Sequence, residues 1–286
     1  MSRPARPGPD WGAVWPAPAK LNLMLRILGR RADGYHELQT AFQFLDYCDE
    51  LRFLPRDDGR ITRPLGLAGL PEDEDLVVRA AALLRKETGC RRGAEIHVAK
   101  RIPEGGGLGG GSSDAATTLV ALDHYWDTGL GRERLQELGA SLGADLPVFV
   151  GGQASWAEGI GDRLTPLTLE EPWYLVIAPG CRVPTAEVFR DPGLTRNSAP
   201  ITISRFLAQG GGNDCTEVVR RRYPAVAEAL DWLGRFAPAR LTGTGACVFA
   251  AFDDEKGARD AGAQVPSKWL ALVAAGRNRS PLLDFT

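Results

Sequence analysis

Leu21, Leu23, Leu25 and Ile27 alternate with Lys20, Asn22, Met24 and Arg26. A period of two marks a strand with two unlike faces, so a strand is predicted over 20–28. Pro16 and Pro18 bring the chain into it extended. Lys20 and Asn22 then point the same way from its start, either onto a solvated face or into a site. Further strand-like runs lie at 40–45, 50–54 and 94–98. Helical spacing appears at 73–86, where Asp73 or Asp75 can cap and Leu76, Ala80, Leu83 and Leu84 form the inner stripe. Helices are also predicted at 114–126 and 132–142, with an apolar strand after the break at 143–147. The second half carries a hairpin signal (154–158 with a turn at 159–162), a strand at 173–178, a short helix or turn at 185–189, and helices at 202–208 and 214–222. It ends with a helix at 225–236 behind Pro224, a strand at 248–252, a helix at 255–263 and a strand at 270–274. This order lacks the regular strand–helix–strand rhythm of a doubly wound sheet. It predicts an α+β fold in two domains, 1–155 and 156–286.

The most unusual stretch is KRIPEGGGLGGGSSDAATTLVAL, residues 100–122. Six of the seven residues from Gly105 to Gly111 are glycine, at a cost in backbone entropy that needs a reason. The loop follows a predicted strand and precedes a helix that Asp114 opens. There, bare backbone N–H groups and a helix N-terminus would cradle phosphate. The candidate nucleotide-binding set is Lys100, Pro103, Gly105, Gly106, Gly107, Leu108, Gly109, Gly110, Gly111, Ser112 and Ser113. No Gly-Lys-Ser/Thr closes the loop, so it is not a P-loop. A second small-residue loop, Thr242, Gly243, Thr244 and Gly245, suits backbone approach to an anion and is weaker evidence.

Composition narrows the class without naming the chemistry. The chain has 286 residues, 44% hydrophobic and 24% charged, and a net charge of −2, ordinary for a soluble protein and without the footprint of a nucleic-acid binder. No uncharged apolar run reaches a membrane span. Residues 1–10 are rich in Pro and Arg, lack the apolar core of a signal peptide, and are expected to fray. Five cysteines without metal-ligand spacing point to reduced thiols in the cytoplasm. Arg91-Arg92 and Arg220-Arg221-Arg222 read as solvated faces.

Three single positions stay open on spacing alone. Tyr35 and His36 leave an Asp33-Gly34 turn side by side, suited to stacking on and hydrogen bonding to a planar ring, or else structural. Asp145, between Gly143 and Pro147, is a turn residue or a carboxylate held near something reactive.

Taken together, these stretches resemble the GHMP kinase superfamily. Residues 103–113 resemble its glycine-rich ATP motif, 18–22 (PAKLN) its N-terminal motif and 241–247 (LTGTGAC) its C-terminal motif. RADGYHELQT at 31–40 and GADLPVF at 143–149 resemble the branch that phosphorylates a cytidine-diphosphate-linked methylerythritol. The resemblance implies an ATP-binding domain followed by an α+β domain, with the site in the cleft between them. It implies Lys20 and Asp145 as the catalytic pair and Asn22, Tyr35, His36, Thr185 and Phe189 as substrate-binding. It also implies ATP with Mg²⁺, the metal met by Ser112 or Ser113, and a monomer or homodimer. Asp75 stands where related chains often carry Asn near the adenine. The rival classes are a GHMP enzyme for mevalonate-type or homoserine substrates, which offer no ring to stack on, and a non-catalytic nucleotide-binding protein, which would not need Lys20 and Asp145.

Overall fold

A long antiparallel hairpin dominates the computed structural model, which describes residues 10–64 and 71–285; residues 1–9, expected to fray, lie outside them. Its arms are β1 (Trp15–Arg30) and β2 (His36–Arg56). β2 is a single strand where the apolar pattern predicted two. The polar interruption at 46–49 is accommodated because its carboxylates are used. Asp46 accepts from the Ala275 N–H at 2.6 Å, and Asp49 accepts from the Ile102 N–H at 2.8 Å.

β1 also departs from simple alternation. Its register against β2 shifts between Pro18 and Lys20, between Asn22 and Met24, and between Ile27 and Gly29. Each shift changes which face a side chain meets. One strand therefore feeds three cores. Trp15 and Ala17 join the first, Ala19, Leu21, Leu23 and Met24 the one between the halves, and Leu25 and Ile27 the last. Met24, expected on the polar face with Lys20, is buried beside Leu21 instead.

β3 (Ile61–Thr62), β4 (Gly93–Ala99), β5 (Ser155–Gly159) and β6 (Arg163–Pro166) extend this sheet. β7 (Trp173–Ala178), β8 (Arg240–Leu241), β9 (Val248–Phe252) and β10 (Leu270–Arg277) form its continuation. The strand order is β3-β4-β2-β10-β7-β9-β8, with β1 and the β5–β6 hairpin also on β2. β10 joins the halves by pairing with β2 at Leu45 and Phe44 and with β7 along its length. By pairing, the hairpin at 155–166 lies on the first half's sheet.

Four helices cover the first half: α1 (Leu76–Thr88), α2 (Gly110–Trp126), α3 (Arg132–Leu142) and α4 (Leu146–Gly151). Asp75 caps α1 by accepting from the Val77 N–H at 2.8 Å. The segment after Asp145 is helical, not the expected strand. Pro147 sits in the first turn of α4, where its missing N–H costs nothing. α2 starts at Gly110, ahead of the predicted Asp114, so the last two glycines of the run are already helix. The second half carries α5 (Thr185–Arg190), α6 (Ile203–Gln209), α7 (Thr216–Arg222), α8 (Pro224–Leu233) and α9 (Glu255–Gly262). The triple arginine there is tied by ion pairs to Asp231, Asp191 and Glu187.

An aromatic cluster ties the start of β1 to α2. Trp15 Nε1–H donates to the Tyr125 hydroxyl at 2.8 Å, and that hydroxyl donates to the Asp10 carbonyl at 2.8 Å. Tyr125→Phe keeps the ring and leaves the buried Trp15 N–H without its acceptor. Urea unfolding should show a loss of about 1–3 kcal/mol, with the slope of the transition unchanged.

Candidate active site

The site is built on the free edge of β1. β2 occupies one edge, and the Lys20 and Asn22 N–H groups face the other. Lys20 N–H donates to the Leu108 carbonyl at 3.0 Å, and Asn22 N–H donates to the Thr242 Oγ1 at 3.0 Å. An otherwise unpaired strand edge is thus covered by both small-residue loops.

Between the first two register shifts, Lys20 and Asn22 turn inward. The Lys20 ammonium is only 3% exposed. It donates to Asn22 Oδ1 at 2.5 Å and to the Gly107 carbonyl at 3.1 Å, and pairs with Asp145 Oδ2 at 3.2 Å. The Phe42 ring centroid lies 5.3 Å away. Asn22 Nδ2 donates to Thr40 Oγ1 at 2.9 Å, which fixes which face of its amide meets the lysine. Asp145, just ahead of α4, keeps 34% of its side chain exposed. A buried ammonium with three oxygen partners is satisfied, and the half-open carboxylate is the member of the pair that a ligand can reach.

The glycine loop follows the predicted path for a second reason besides ligand approach. A Cβ on Gly107 would overlap the Thr242 carbonyl oxygen, and one on Gly106 would overlap Cys247 Sγ. The two loops are also hydrogen-bonded, the Cys247 N–H donating to the Gly106 carbonyl at 3.0 Å. Gly109, left-handed at φ 74°, caps α2, and a side chain there would strike Phe149 and Lys20. Thr242, Gly243, Thr244 and Gly245 therefore act first as the floor on which the glycine loop lies.

Two cavities open from this point. One, of about 450 Å³, runs along 102–112 and is lined also by Arg63, Asp75, Lys100, Asp145 and Arg182. The other, of about 300 Å³, is lined by Lys20, Asn22, Asp145, Thr185, Phe189 and Thr244 among others. Gly107, Ser112 and Asp145 border both. Of the two serines, Ser112 faces the cavities. Ser113 is fully buried, and its hydroxyl has no hydrogen-bond partner among the described residues. Leu108 contributes its carbonyl while its side chain joins the core. Pro103 and Gly105 to Gly111 line the larger cavity.

Tyr35 and His36 are placed differently from expectation. His36 stacks on Phe189, ring centroids 4.9 Å apart, while Tyr35 is 61% exposed at the tip of the hairpin turn. Neither lines the smaller cavity; Phe189 does. Thr185 shares a 2.9 Å hydrogen bond with Thr244. Two residues at the larger cavity had no sequence signal. Arg63 forms a buried ion pair with Asp75, balancing the charge at that end. Arg182, from the second half, lies over Gly105 and has no ion pair or hydrogen bond among the described residues.

Residues 75–153 match the family described as GHMP kinases N terminal domain, and residues 194–271 match GHMP kinases C terminal. A 4-diphosphocytidyl-2-C-methyl-D-erythritol kinase of Nitrosococcus oceani is 59% identical over 95% of this chain and 97% of its own length. The chain belongs to the GHMP kinase family. The corresponding kinase of Alkalilimnicola ehrlichii is 59% identical over 96% of this chain and 94% of its own. A crystal structure of 4-(cytidine 5'-diphospho)-2C-methyl-D-erythritol kinase superposes with a TM-score of 0.80 at 33% identity, over 92% of this chain and 99% of that one. A mevalonate kinase structure, at 15% identity and a TM-score of 0.65, shares the fold. GHMP kinases use ATP as the phosphate donor.

In this GHMP kinase Lys100 lines the larger cavity, but its ammonium is committed. It pairs with the buried Asp49 and, at 2.8 Å, with Asp114. Burial works against the Lys100 charge, yet Asp114 and Asp49 outweigh it and raise its pKa. Asp114 is pushed up to about 7, first by burial, with Lys100 opposing and Asp49 adding its own charge. Its Oδ1 is buried without a hydrogen-bond partner among the described residues, which adds to the cost of charging the carboxyl. A carboxyl whose folded pKa lies above its unfolded 3.8 stabilises fully below that value and loses the contribution as pH rises through about 7. Asp114→Asn removes this dependence. Thermal melts from pH 5 to 8 should show the variant gaining on the parent as pH rises, by about 1–3 kcal/mol across the range.

Proposed function

We propose that the chain transfers the γ-phosphoryl group of ATP to the 2-hydroxyl of 4-diphosphocytidyl-2-C-methyl-D-erythritol, giving the 2-phosphate and ADP in the non-mevalonate route to isoprenoid precursors. The observation that carries this is the meeting of the two cavities at Asp145, with the Lys20 ammonium behind it. ATP occupies the larger cavity with its phosphates against the glycine loop and the N-terminus of α2. The methylerythritol arm of the acceptor enters the smaller one. Five free thiols, of which burial pushes Cys48, Cys215 and Cys247 up to about 12, suit a cytoplasmic setting.

Phosphoryl transfer asks for alignment and for positive charge around the transferring group more than for covalent help. The Asp145 carboxylate takes the hydroxyl proton as that oxygen bonds to the γ-phosphorus. The bond from the γ-phosphorus to the bridging oxygen breaks, and ADP leaves with the electron pair. Lys20 balances charge at the junction, and Asn22 holds the lysine in place. Arg182 closes over the phosphates from the second half. The Ser112 hydroxyl would be the protein oxygen offered to magnesium carried on the triphosphate, which would supply neutralising charge to the phosphates. Phe189 forms one wall for the cytosine, and Tyr35, on the exposed turn, supplies a second face.

ATP consumption measured with the cytidylyl substrate, mevalonate and homoserine tests the assignment. Turnover of either small alcohol in place of the cytidylyl compound overturns it. Asp145→Asn should lower kcat by roughly 10²–10⁴-fold while ATP affinity stays within about twofold. Tyr35→Ala should raise KM for the cytidylyl substrate and leave KM for ATP unchanged, a split read directly from steady-state kinetics.

A further inference from the structure

The Phe189 wall is held by more than its own short helix. Its ring lies against His36, which comes from the far end of the β1–β2 hairpin, with an interplanar angle of 27°. Arg196 buckles the pair together. Its Nε donates to His36 Nε2 at 3.2 Å, its Nη2 to the Phe189 and Asp191 carbonyls at 2.8 Å each, and its Nη1 to the Leu194 carbonyl at 3.1 Å. Asp191 is in turn fixed by Arg221, Arg222 and the Gly193 N–H.

A guanidinium only donates and does not lose its proton in a protein. The His36 Nε2 must therefore offer a lone pair. A neutral imidazole that accepts at one nitrogen carries its proton on the other. We propose that Arg196 is a positioning residue: it fixes His36 as the neutral Nδ1–H tautomer and locks it against Phe189, so that the aromatic wall and a ring N–H donor stand ready for a pyrimidine base with acceptor atoms. The base as ligand rests on the function proposed above; the tautomer does not.

The surroundings agree. The charged groups facing the imidazole are Arg196, from the segment after α5, and Arg30, its register partner on β1. α5 presents the Phe189 ring to it. Burial, then Arg196, then Arg30 depress the His36 pKa below 6.5. With the folded value below the unfolded one, the neutral ring persists as pH falls past 6.5, and the stability tied to it, full above 6.5, is lost from there down to the folded value.

Two-bond ¹H–¹⁵N correlation spectra of the full chain between pH 5.5 and 8 read the tautomer directly. Wild-type His36 should show the Nδ1–H pattern and titrate below 6.5. Arg196→Ala should lose that pattern and raise KM for the cytidylyl substrate about tenfold, with kcat and KM for ATP within about twofold. Arg196→Lys retains one donor but cannot span the carbonyls, and should fall between. It also carries the test if the alanine variant melts below the assay temperature. An Nε2–H or charged His36 in the wild type at pH 7, or a tautomer unmoved by either substitution, overturns the proposal. So does a lost tautomer with unchanged KM. Failure of the wild type to turn over the cytidylyl substrate would remove the substrate assignment and leave the spectra to decide the tautomer.

Discussion

An ammonium out of water must be surrounded by oxygen, and the Lys20 side chain has three such partners from three places in the chain. Asn22 is its neighbour on the strand, Gly107 belongs to the glycine loop, and Asp145 precedes α4. Losing any one leaves a buried charge short of a partner, which is far more costly than losing a surface pair. The lysine therefore fixes where the glycine loop and α4 can sit relative to β1. The register shifts on both sides of it let a residue in a regular strand reach that spot.

The same logic explains why the two small-residue loops are small. Their backbones press on each other and on the free edge of β1, so side chains at Gly106 and Gly107 have no room before any ligand is considered. One consequence is mechanical. The glycine loop of the first half lies on the 242–247 loop of the second, and β10 runs through both halves as a shared strand. The two cavities are thus held next to each other by backbone hydrogen bonds between the halves.

Much of this was legible in the residues, for reasons that can be named. The glycine run announced itself by composition, and most helices and strands by their period. What failed did so where tertiary contacts outrank local pattern. The polar residues at 46–49 looked like a break because their partners, Ala275 and Ile102, are distant in sequence. The apolar run after Asp145 matched a strand as well as a buried helix, and six residues are too few for periodicity to decide. Glycine is a poor helix former, so the residues alone put the start of α2 beyond the glycines and the two serines, at Asp114. Lys20 and Asp145 were brought together by resemblance, since no spacing rule connects them. Arg182 and Arg196 carried no signal at all: an isolated arginine in a loop looks the same whether it faces water, phosphate or an imidazole.

The unequal exposure of the central pair matters for chemistry. Lys20 is enclosed and Asp145 is open on the side where both cavities arrive. An enclosed cation keeps a fixed position and supplies a steady field. A carboxylate with a free oxygen can still accept a proton from an incoming hydroxyl without giving up its bond to the lysine. Were the exposures reversed, the acid would be shielded and the mobile lysine would meet the phosphate first. In the reaction proposed above, the arrangement would make proton acceptance and charge support separate tasks of two adjacent groups, and the buried register of β1 would keep them from exchanging places.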